Sequence, residues 1–593
     1  MLVRPGREEV FVGMQVHQCG LLGSRPNNDV GTFVNAKVDA TRTPGSLVDL
    51  IGESVRSNWT RPALADWEGK ALSYGQVADE IMRLHEVFRI CRVGPGDKIA
   101  LLGRNSASWA VVWLASVTFG AVVVPILPDF RPDDVHHIVN HSDAVLFFVA
   151  DALLAPLDAE KLRDVAAVFS LTDFRVLHCR KESLARNLAD VLVPARDARR
   201  GQEPPERFQL AAVADEKLAA IVYTSGTTGF SKGVMLPHRS LLANVVFAKK
   251  NMPLEPGDTI VSFLPLAHAF GCAFEFLFPF TSGCAITFLA QTPSPQIILE
   301  AFGRVRPRLI LSVPLVIEKI YAKRLRPALE KETTKLLMKI PPVRRILHRK
   351  IREKLVAVFG GRFREIVIGG AALNGDVERF FFAIGFPFTC GYGMTECGPL
   401  ISYSGWRDHK PGGVGRNVDT LEVRIDSADP RAVPGEILVK GANVMAGYYK
   451  NPDATAAAID ADGWLHTGDL GVVDAGGTIF IRGRSKTMFL GPSGQNIYPE
   501  EIEAKLNSLP FVGESLVIER NGKLFALVYP DLERVDQLRL DERALVQRME
   551  KNRLALNRIL PPYASIAKID VYSEEFQKTP TRKIKRFLYS GMA

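Results

Sequence analysis

Short runs of branched apolar residues alternate with stretches of helical spacing along most of this 593-residue chain. From "SLVDLIGESV" onward, "KIALLG", "AVVVPI", "AVLFFV", "AAIVYT", "TIVSFL", "LILSV" and "EIVIGG" read as strands separated by amphipathic helices. That alternation predicts parallel α/β layers. Most of the runs stop at Gly, Ser, Thr or Pro. Ligands in such folds lie beyond the carboxyl ends of the strands, so a site is expected there. From "VRIDS" through "GEILVKG" to "TIFIRGR" the strands shorten and Gly-containing turns join them, which predicts a more β-rich region. "NIYPEEIEAKLNSLP" then opens a helix, with Pro499 and acids in its first turn. "ESLVIER" and "KLFALVYP" follow as strands around the turn "NG", and the amphipathic "DERALVQRMEKNRLALNRIL" is stopped by Pro561 and Pro562. A small α+β domain starting near residue 485 is therefore expected behind a large α/β domain of residues 46–484. Residues 1–45 show no steady period and are expected to be an N-terminal extension, in part disordered.

Length adds that one core is too few for this chain. A content of 47% hydrophobic and 23% charged residues fits a soluble globular protein. The uncharged stretch Asn105–Pro128 has the length of a membrane span, but Gly120, Pro125 and the β-branched "GAVVVPI" make it a buried helix–strand pair. The N-terminus, broken by charge, Gly and Gln, is a poor secretory signal. Seven scattered cysteines without paired spacing argue against a disulfide framework or zinc site and suit a reducing cytosol.

The net charge of +9 is uneven: between Lys319 and Lys354 lie 13 lysines and arginines against three glutamates. The plain reading is a solvated helical face. The sharper one is a patch for anionic lipid headgroups or a polyphosphate ligand. Nucleic acid is not expected, because few aromatics interleave the charges.

"YTSGTTGFSKG", residues 223–233, places hydroxyls around Gly226 and Gly229 and ends in Lys232. Glycines let backbone N–H groups approach a ligand, and the hydroxyls and lysine add donors, so these are the parts of a phosphate cradle. A solvated turn has similar composition. The Walker spacing fails, since two residues rather than four separate the glycines, and no Gly-x-Ser-x-Gly elbow marks a serine nucleophile. The strand "KLAAIVYT" precedes the loop, and "SLLANVVFA", of helical spacing, follows it. Strand, loop and helix make a phosphate site without naming a reaction.

Six more stretches carry candidate chemistry: "GGAAL" (369–373), "GYGMTECGP" (391–399), "PLAHAFG" (265–271), "GWLHTGDLG" (463–471), "FIRGRSK" (480–486) and "FQKTPTRKIKR" (576–586). Singly, each has an ordinary explanation: Tyr392 as packing, Glu396 and Asp469 as turn residues, His268 as a satisfied core histidine, Lys583 as part of a solvated charge run. Together, in this order, the chain over roughly residues 46–593 resembles the adenylate-forming superfamily of acyl-CoA synthetases, peptide-synthetase adenylation domains and firefly-type luciferases. "GVMLPHRSL", "GQNIYPEEIE" and "KTPTRKIKRFLY" look most like bacterial long-chain fatty-acid–CoA ligases.

The resemblance implies an α/β fold with a large multi-subdomain AMP-binding domain and a small mobile C-terminal domain carrying the catalytic lysine. The implied reaction joins a fatty acid to AMP from ATP, releases pyrophosphate, and passes the acyl group to CoA. Thr224, Ser225, Gly226, Thr227, Thr228, Gly229 and Lys232 would hold the β- and γ-phosphates, and Thr395 the α-phosphate. Mg2+ would lie between Thr224 and Glu396. Tyr392 would stack on adenine, lined by Gly370, Ala371, Ala372 and Gly391. Asp469 would accept from the ribose hydroxyls, with Arg484 nearby. Lys583 would bridge carboxylate and phosphate, swinging about a hinge at Lys486 and Thr487. His268, Val313 and Gly393 would border the acyl pocket, and the Phe-rich 261–320 region would line an apolar tunnel unless it is core. Three positions depart from the family: Thr487 where the hinge is often acidic, Arg582 where glycine precedes the lysine, and Ser231 where proline is common. None removes a charge that the chemistry needs. A cytoplasmic location is expected, with peripheral contact at the inner face of the cell membrane through the basic segment. A carrier-protein acyl ligase, or a catalytically silent membrane-associated lipid-binding relative, would share many of these features.

Overall fold

The computed structural model describes residues 45–192, 204–224, 232–290, 294–490, 496–520, 522–579 and 583–589. The expected extension, apart from residue 45, lies outside them, as do Ser225, Gly226, Thr227, Thr228, Gly229, Ser231 and Arg582.

The apolar runs form three separate sheets in the large lobe. Strands Lys98–Leu102, Val122–Ile126, Ala144–Val149 and Leu218–Thr224 lie in an eight-stranded sheet, parallel to one another. Thr259–Ser262 belongs to a second sheet, beside Ala285–Phe288 and Pro62–Asp66. Leu309–Ser312, Glu365–Ile368 and Phe388–Cys390 form a third, wholly parallel sheet. The "VRIDS" to "TIFIRGR" region is a four-stranded antiparallel sheet, Leu421–Asp426, Gly435–Gly441, Leu465–Val473 and Ile479–Arg484.

One local reading is corrected. The glycine-rich loop does not run straight into a helix. Strand Lys232–Pro237 follows it and pairs antiparallel with Leu218–Thr224, and helix His238–Asn251 comes only after that. The reason is alternation: Val234 and Leu236 are buried, and both strands carry apolar side chains into the layers on either side of the sheet.

Asn105–Pro128 forms the helix Ala107–Phe119 and the strand Val122–Ile126. Ser106 caps the helix through the Trp109 amide, and Gly120, at φ 86°, ends it in the left-handed region. Val111, Val112, Trp113 and Leu114, consecutive and so pointing to different sides of that helix, are all buried, which accounts for its lack of a polar face. Among the described residues no helix is long and apolar enough to cross a membrane.

The small lobe is a three-stranded sheet of Val512–Arg520, Lys523–Pro530 and Ile566–Val571, covered by helices Pro499–Leu506 and Glu542–Asn557. Its core is separate: the large core's last member in sequence is Ile481, and the small core's first is Phe489. Among the described residues few polar bonds cross between the lobes, Arg482–Glu501 at 3.6 Å beside the boundary being one. Asn374 Nδ2 donates to Ser508 Oγ at 2.8 Å, and Lys323–Glu533 and Arg534–Glu330 are ion pairs at 3.5 Å.

Candidate active site

The third sheet sets one wall of a cleft. Its three parallel strands end at Ser312, Ile368 and Cys390, and the chain continues into Val313, Gly369–Ala372 and Gly391–Gly393. Gly369 N–H donates to Ser312 O at 3.0 Å and Gly391 N–H to Ile368 O at 2.9 Å, so the three segments leave side by side. Gly370 has φ 88°, a conformation that side chains resist, and Ala371 and Ala372 are exposed beyond it. These small exposed residues put no bulk at the end of the strand that neighbours Phe388–Cys390.

The antiparallel sheet supplies the opposite polar group. Asp469 and Arg484 are cross-strand partners, with Asp469 Oδ1 2.7 Å from Arg484 Nε. Tyr392 Oη donates to Asp469 Oδ2 at 2.6 Å. The Asp469 side chain is buried while that of Arg484 is half exposed. Burial first, and the Asp469 charge second, push the Tyr392 phenol well above its ordinary value, so it stays a donor.

The loop's two ends meet a third group of residues. Thr224 and Lys232 face each other across the hairpin. Lys232 Nζ lies 4.7 Å above the ring of Tyr448, and Tyr448 Oη donates to Glu396 Oε1 at 2.9 Å. Glu396 stands in the 3-10 turn Thr395–Cys397, which Asn244 pins by donating to Cys397 O and accepting from the Leu400 amide. Glu396 Oε2 has no hydrogen bond among the described residues. Two hard oxygen donors, the Thr224 hydroxyl and the Glu396 carboxylate, thus border the loop, and this donor chemistry fits Mg2+.

Lys583 comes from the small lobe. Residues 578 and 584 form an antiparallel bridge, and Thr579 and Lys583 exchange two hydrogen bonds, which fix the lysine beside that bridge. Desolvation and the Arg484 charge lower its pKa, while Asp469 and Glu396 oppose them. The residue is nonetheless solvent-exposed, which fits a place in an open cleft and not in a sealed core. The same charge acts on His268, whose pKa falls to about 4, mainly by burial and then by Lys583. His268 is a neutral ring that caps its own turn, Nδ1 accepting from the Phe270 amide at 3.3 Å.

His268 borders a small apolar cavity of about 10 Å³ with Trp113, Val222, Leu241 and Cys272. That space is far below the several hundred Å³ of an ordinary ligand pocket. The tunnel expectation is corrected for the Phe-rich helix: Phe274, Phe276, Phe278 and Phe280 are fully buried, and Phe276 meets Trp109 and Trp113 edge-on. They are core. Gly393 also has a packing reason, since a Cβ there would stand 2.0 Å from Pro399 O. Val313 is half-buried at its strand end, and its Cγ1 would be 3.8 Å from a Cβ on Gly370.

At the inter-lobe turn Lys486 is exposed, and Thr487 Oγ1 donates to Glu500 Oε1 at 2.6 Å. Sequence reasoning missed Tyr448 and Asn244. A tyrosine in "AGYYKN" and an asparagine inside a helix carry no local sign of a role, because their partners are 52 and more than 150 positions away.

The fold and this cleft define an adenylate-forming enzyme. The chain belongs to the AMP-binding enzyme family, whose model matches residues 52–449. It is 30% identical over 536 residues to the peroxisomal long-chain acyl-CoA synthetase 7 of Arabidopsis thaliana, covering 85% of this chain and 74% of that protein. It is 29% identical over 542 residues to a chloroplastic long-chain-fatty-acid–acyl-carrier-protein ligase of the same plant, covering 79% of this chain and 73% of that protein. The crystal structure of ATP-bound MatB from Rhodopseudomonas palustris shares the fold at 23% identity, with TM-score 0.70 over 92% of this chain and 98% of that one.

Proposed function

We propose that this enzyme activates a long-chain fatty acid with ATP to give acyl-AMP and pyrophosphate, then transfers the acyl group to CoA. One observation carries the reading: Lys583, from the small lobe, is within electrostatic reach of Asp469, Arg484, Glu396 and His268 of the large lobe. Carboxylate and triphosphate repel each other, so the attack of a carboxylate oxygen on the α-phosphorus needs a cation where charge builds. Lys583 is that cation. Lys232, with Thr224 and the loop Ser225–Gly229, holds the β- and γ-phosphates, and Thr395 meets the α-phosphate. Thr224 and Glu396 would hold a Mg2+ ion, which would offset phosphate charge.

Adenine lies against Gly370, Ala371, Ala372 and Gly391 and stacks on Tyr392. Asp469 receives the ribose hydroxyls, sharing its oxygens with Tyr392 and Arg484. In the second half-reaction the CoA sulfur attacks the acyl carbon, the bond to the phosphate oxygen breaks, and AMP leaves. The lobes part at Lys486 and Thr487 to admit CoA. The domain division at residue 484 follows the break between the two cores.

The relatives support a long chain. A long acid needs the residues around His268 to open, because the cavity there is far too small for an alkyl tail. Each methylene then buried contributes about 0.8 kcal/mol, enough to favour long acids over short ones. The likeness to a carrier-protein ligase favours a second acceptor, the phosphopantetheine thiol of a carrier. The enzyme works in the cytoplasm, in peripheral contact with the inner membrane face. Pyrophosphate release with ATP, Mg2+ and a ladder of acids, with and without CoA, tests the reading. Turnover that needs a carrier protein and ignores CoA selects the second acceptor. No acid-dependent release at all removes both.

A further inference from the structure

The basic stretch seen in the sequence becomes a specific surface in three dimensions. Helices Glu332–Met338 and Pro341–Val358 pack together as a projection on the large lobe. The long helix is anchored on one side: Leu355 is buried, Ile351 and Val358 pack on the core, and His348 Nδ1 bonds Ala383 O at 3.2 Å. Its other side and the joint between the helices carry four large apolar side chains in the open. Leu336, Leu337, Ile340 and Ile346 are 65%, 41%, 45% and 50% exposed.

Cations surround that apolar tip. Lys339, Arg344, Arg345 and Lys350 are exposed and form no ion pair among the described residues. The segment's acids are already engaged: Glu330 with Arg326 and Arg534, Glu332 with Lys335, and Glu353 with Arg349. Apolar side chains ringed by unpaired cations are what an anionic bilayer recognises, through headgroup charge and shallow burial in the acyl boundary. A nucleic acid needs the cations but gives the leucines nothing to bury against. The stretch 322–358 also has no Phe, Tyr or Trp on which bases could stack.

We propose that the tip of this projection, Leu336, Leu337, Ile340 and Ile346 with the flanking cations, docks the enzyme on anionic phospholipid. The inference deepens the reading of a lipid-acid substrate, and only its consequence for activity rests on that reading. A long acid partitions into bilayers, so docking raises its concentration at the cleft.

The test uses the full chain in sedimentation with phosphatidylcholine vesicles, plain or mixed with phosphatidylglycerol. Binding is expected on the mixed vesicles alone, weakening steeply with salt. A charge variant, Lys339→Glu with Arg345→Glu, and an apolar variant, Leu336→Ser with Leu337→Ser and Ile340→Ser, are each expected to lower partition about tenfold or more. Both variants should melt like the parent and keep its turnover of a water-soluble acid without vesicles. Leu336→Trp should shift its added emission to the blue on mixed vesicles and not on plain ones. Binding that survives both multiple variants, equal binding to plain vesicles, or duplex DNA that binds more tightly than mixed vesicles overturns the proposal. Vesicle binding with these signatures but no turnover of any acid supports the docking and strikes the ligase reading instead.

Discussion

Exchanging Lys583 for alanine should separate the two half-reactions. The perturbation removes one cation from a cleft whose other charges are fixed by the large lobe: Arg484 held to Asp469, and Lys232 over Tyr448. A unit charge about 4 Å from the developing charge contributes about 4 kcal/mol at an effective dielectric near 20. The two remaining cations keep part of that, which leaves a net loss of about 3 kcal/mol, or roughly a hundredfold in acyl-AMP formation. Lys583→Arg keeps the charge but replaces a compact ammonium by a planar fork, so it should recover only part of the rate. The assay is carboxylate-dependent exchange of labelled pyrophosphate into ATP, set beside thioester formation from supplied acyl-AMP. The second rate should stay within about twofold of the parent, because no triphosphate charge builds in that step. Equal loss in both half-reactions would falsify the role given to this lysine. So would an exchange rate left untouched.

Three further outcomes follow from the geometry. Glu365 is buried, and desolvation pushes its carboxyl up to about 7 despite the bonds donated by Tyr403 Oη and the Trp406 amide. Its folded pKa lies above its unfolded one, so this stability is fully present below the unfolded pKa of about 4.5 and is lost as pH rises through about 7, up to about 3 kcal/mol. Glu365→Gln should flatten that part of the profile in melts from pH 5 to 8, and an unchanged slope would assign it to other groups. Gly393→Ala sets a Cβ 2.0 Å from Pro399 O and should cost about 3 kcal/mol or more, read as a lower melting temperature with weakened nucleotide binding. A parent-like melt would show that the turn yields easily. Tyr448→Phe keeps the ring under Lys232 and deletes the bond to Glu396, so the Mg2+ concentration for half-maximal exchange should change about three- to tenfold. An unaltered Mg2+ response would reduce Tyr448 to packing.

Local chemistry was readable where it was written in neighbouring residues. The runs of branched residues became strands because their periods match burial on both faces, and the stops of "LILSV" and "EIVIGG" marked two carboxyl ends of the sheet beside which Tyr392 stands; the short third strand, Phe388–Cys390, was not among the runs. Long-range pairing was not readable. Nothing in "KGVMLP" says that it doubles back against "LAAIVYT", since Val234 and Leu236 would serve a helix lead-in equally well. The same limit hid Tyr448 and Asn244, which act on a turn far away in sequence. The Phe-rich stretch misled for a different reason: apolar side chains line tunnels and fill cores alike, and only contact with Trp109 and Trp113 distinguishes the two. The charge run was legible as charge, but the exposed leucines among the lysines needed the helix faces to be known.

The placement of Lys583 makes sense mechanically once its anchors are followed. Arg586, three residues on, donates to both oxygens of Glu503, through Nη1 to Oε1 at 2.8 Å and through Nη2 to Oε2, and lies 3.7 Å from Glu500. Thr487, at the inter-lobe turn, donates to Glu500 as well. Hinge and lysine segment are therefore both tied to one turn of the helix Pro499–Leu506, and Leu506 and Ile502 bury that helix in the small core. A lever needs a stiff arm and a soft joint. The arm is stiff because a charge-assisted pair that includes a nearly buried glutamate is costly to break. The joint between lobes is soft because the ion pairs described across it, Lys323–Glu533, Arg534–Glu330 and Arg482–Glu501, are exposed or partly so and contribute only about 0–1 kcal/mol each. Parting the lobes thus costs little, while moving Lys583 relative to its own lobe costs much more. Loosening the arm, by Arg586→Met, should then slow acyl-AMP formation while leaving thioester formation from supplied acyl-AMP unaffected. A variant that lost both rates together would place Arg586 in the stability of the small lobe and take the stiff-arm argument with it.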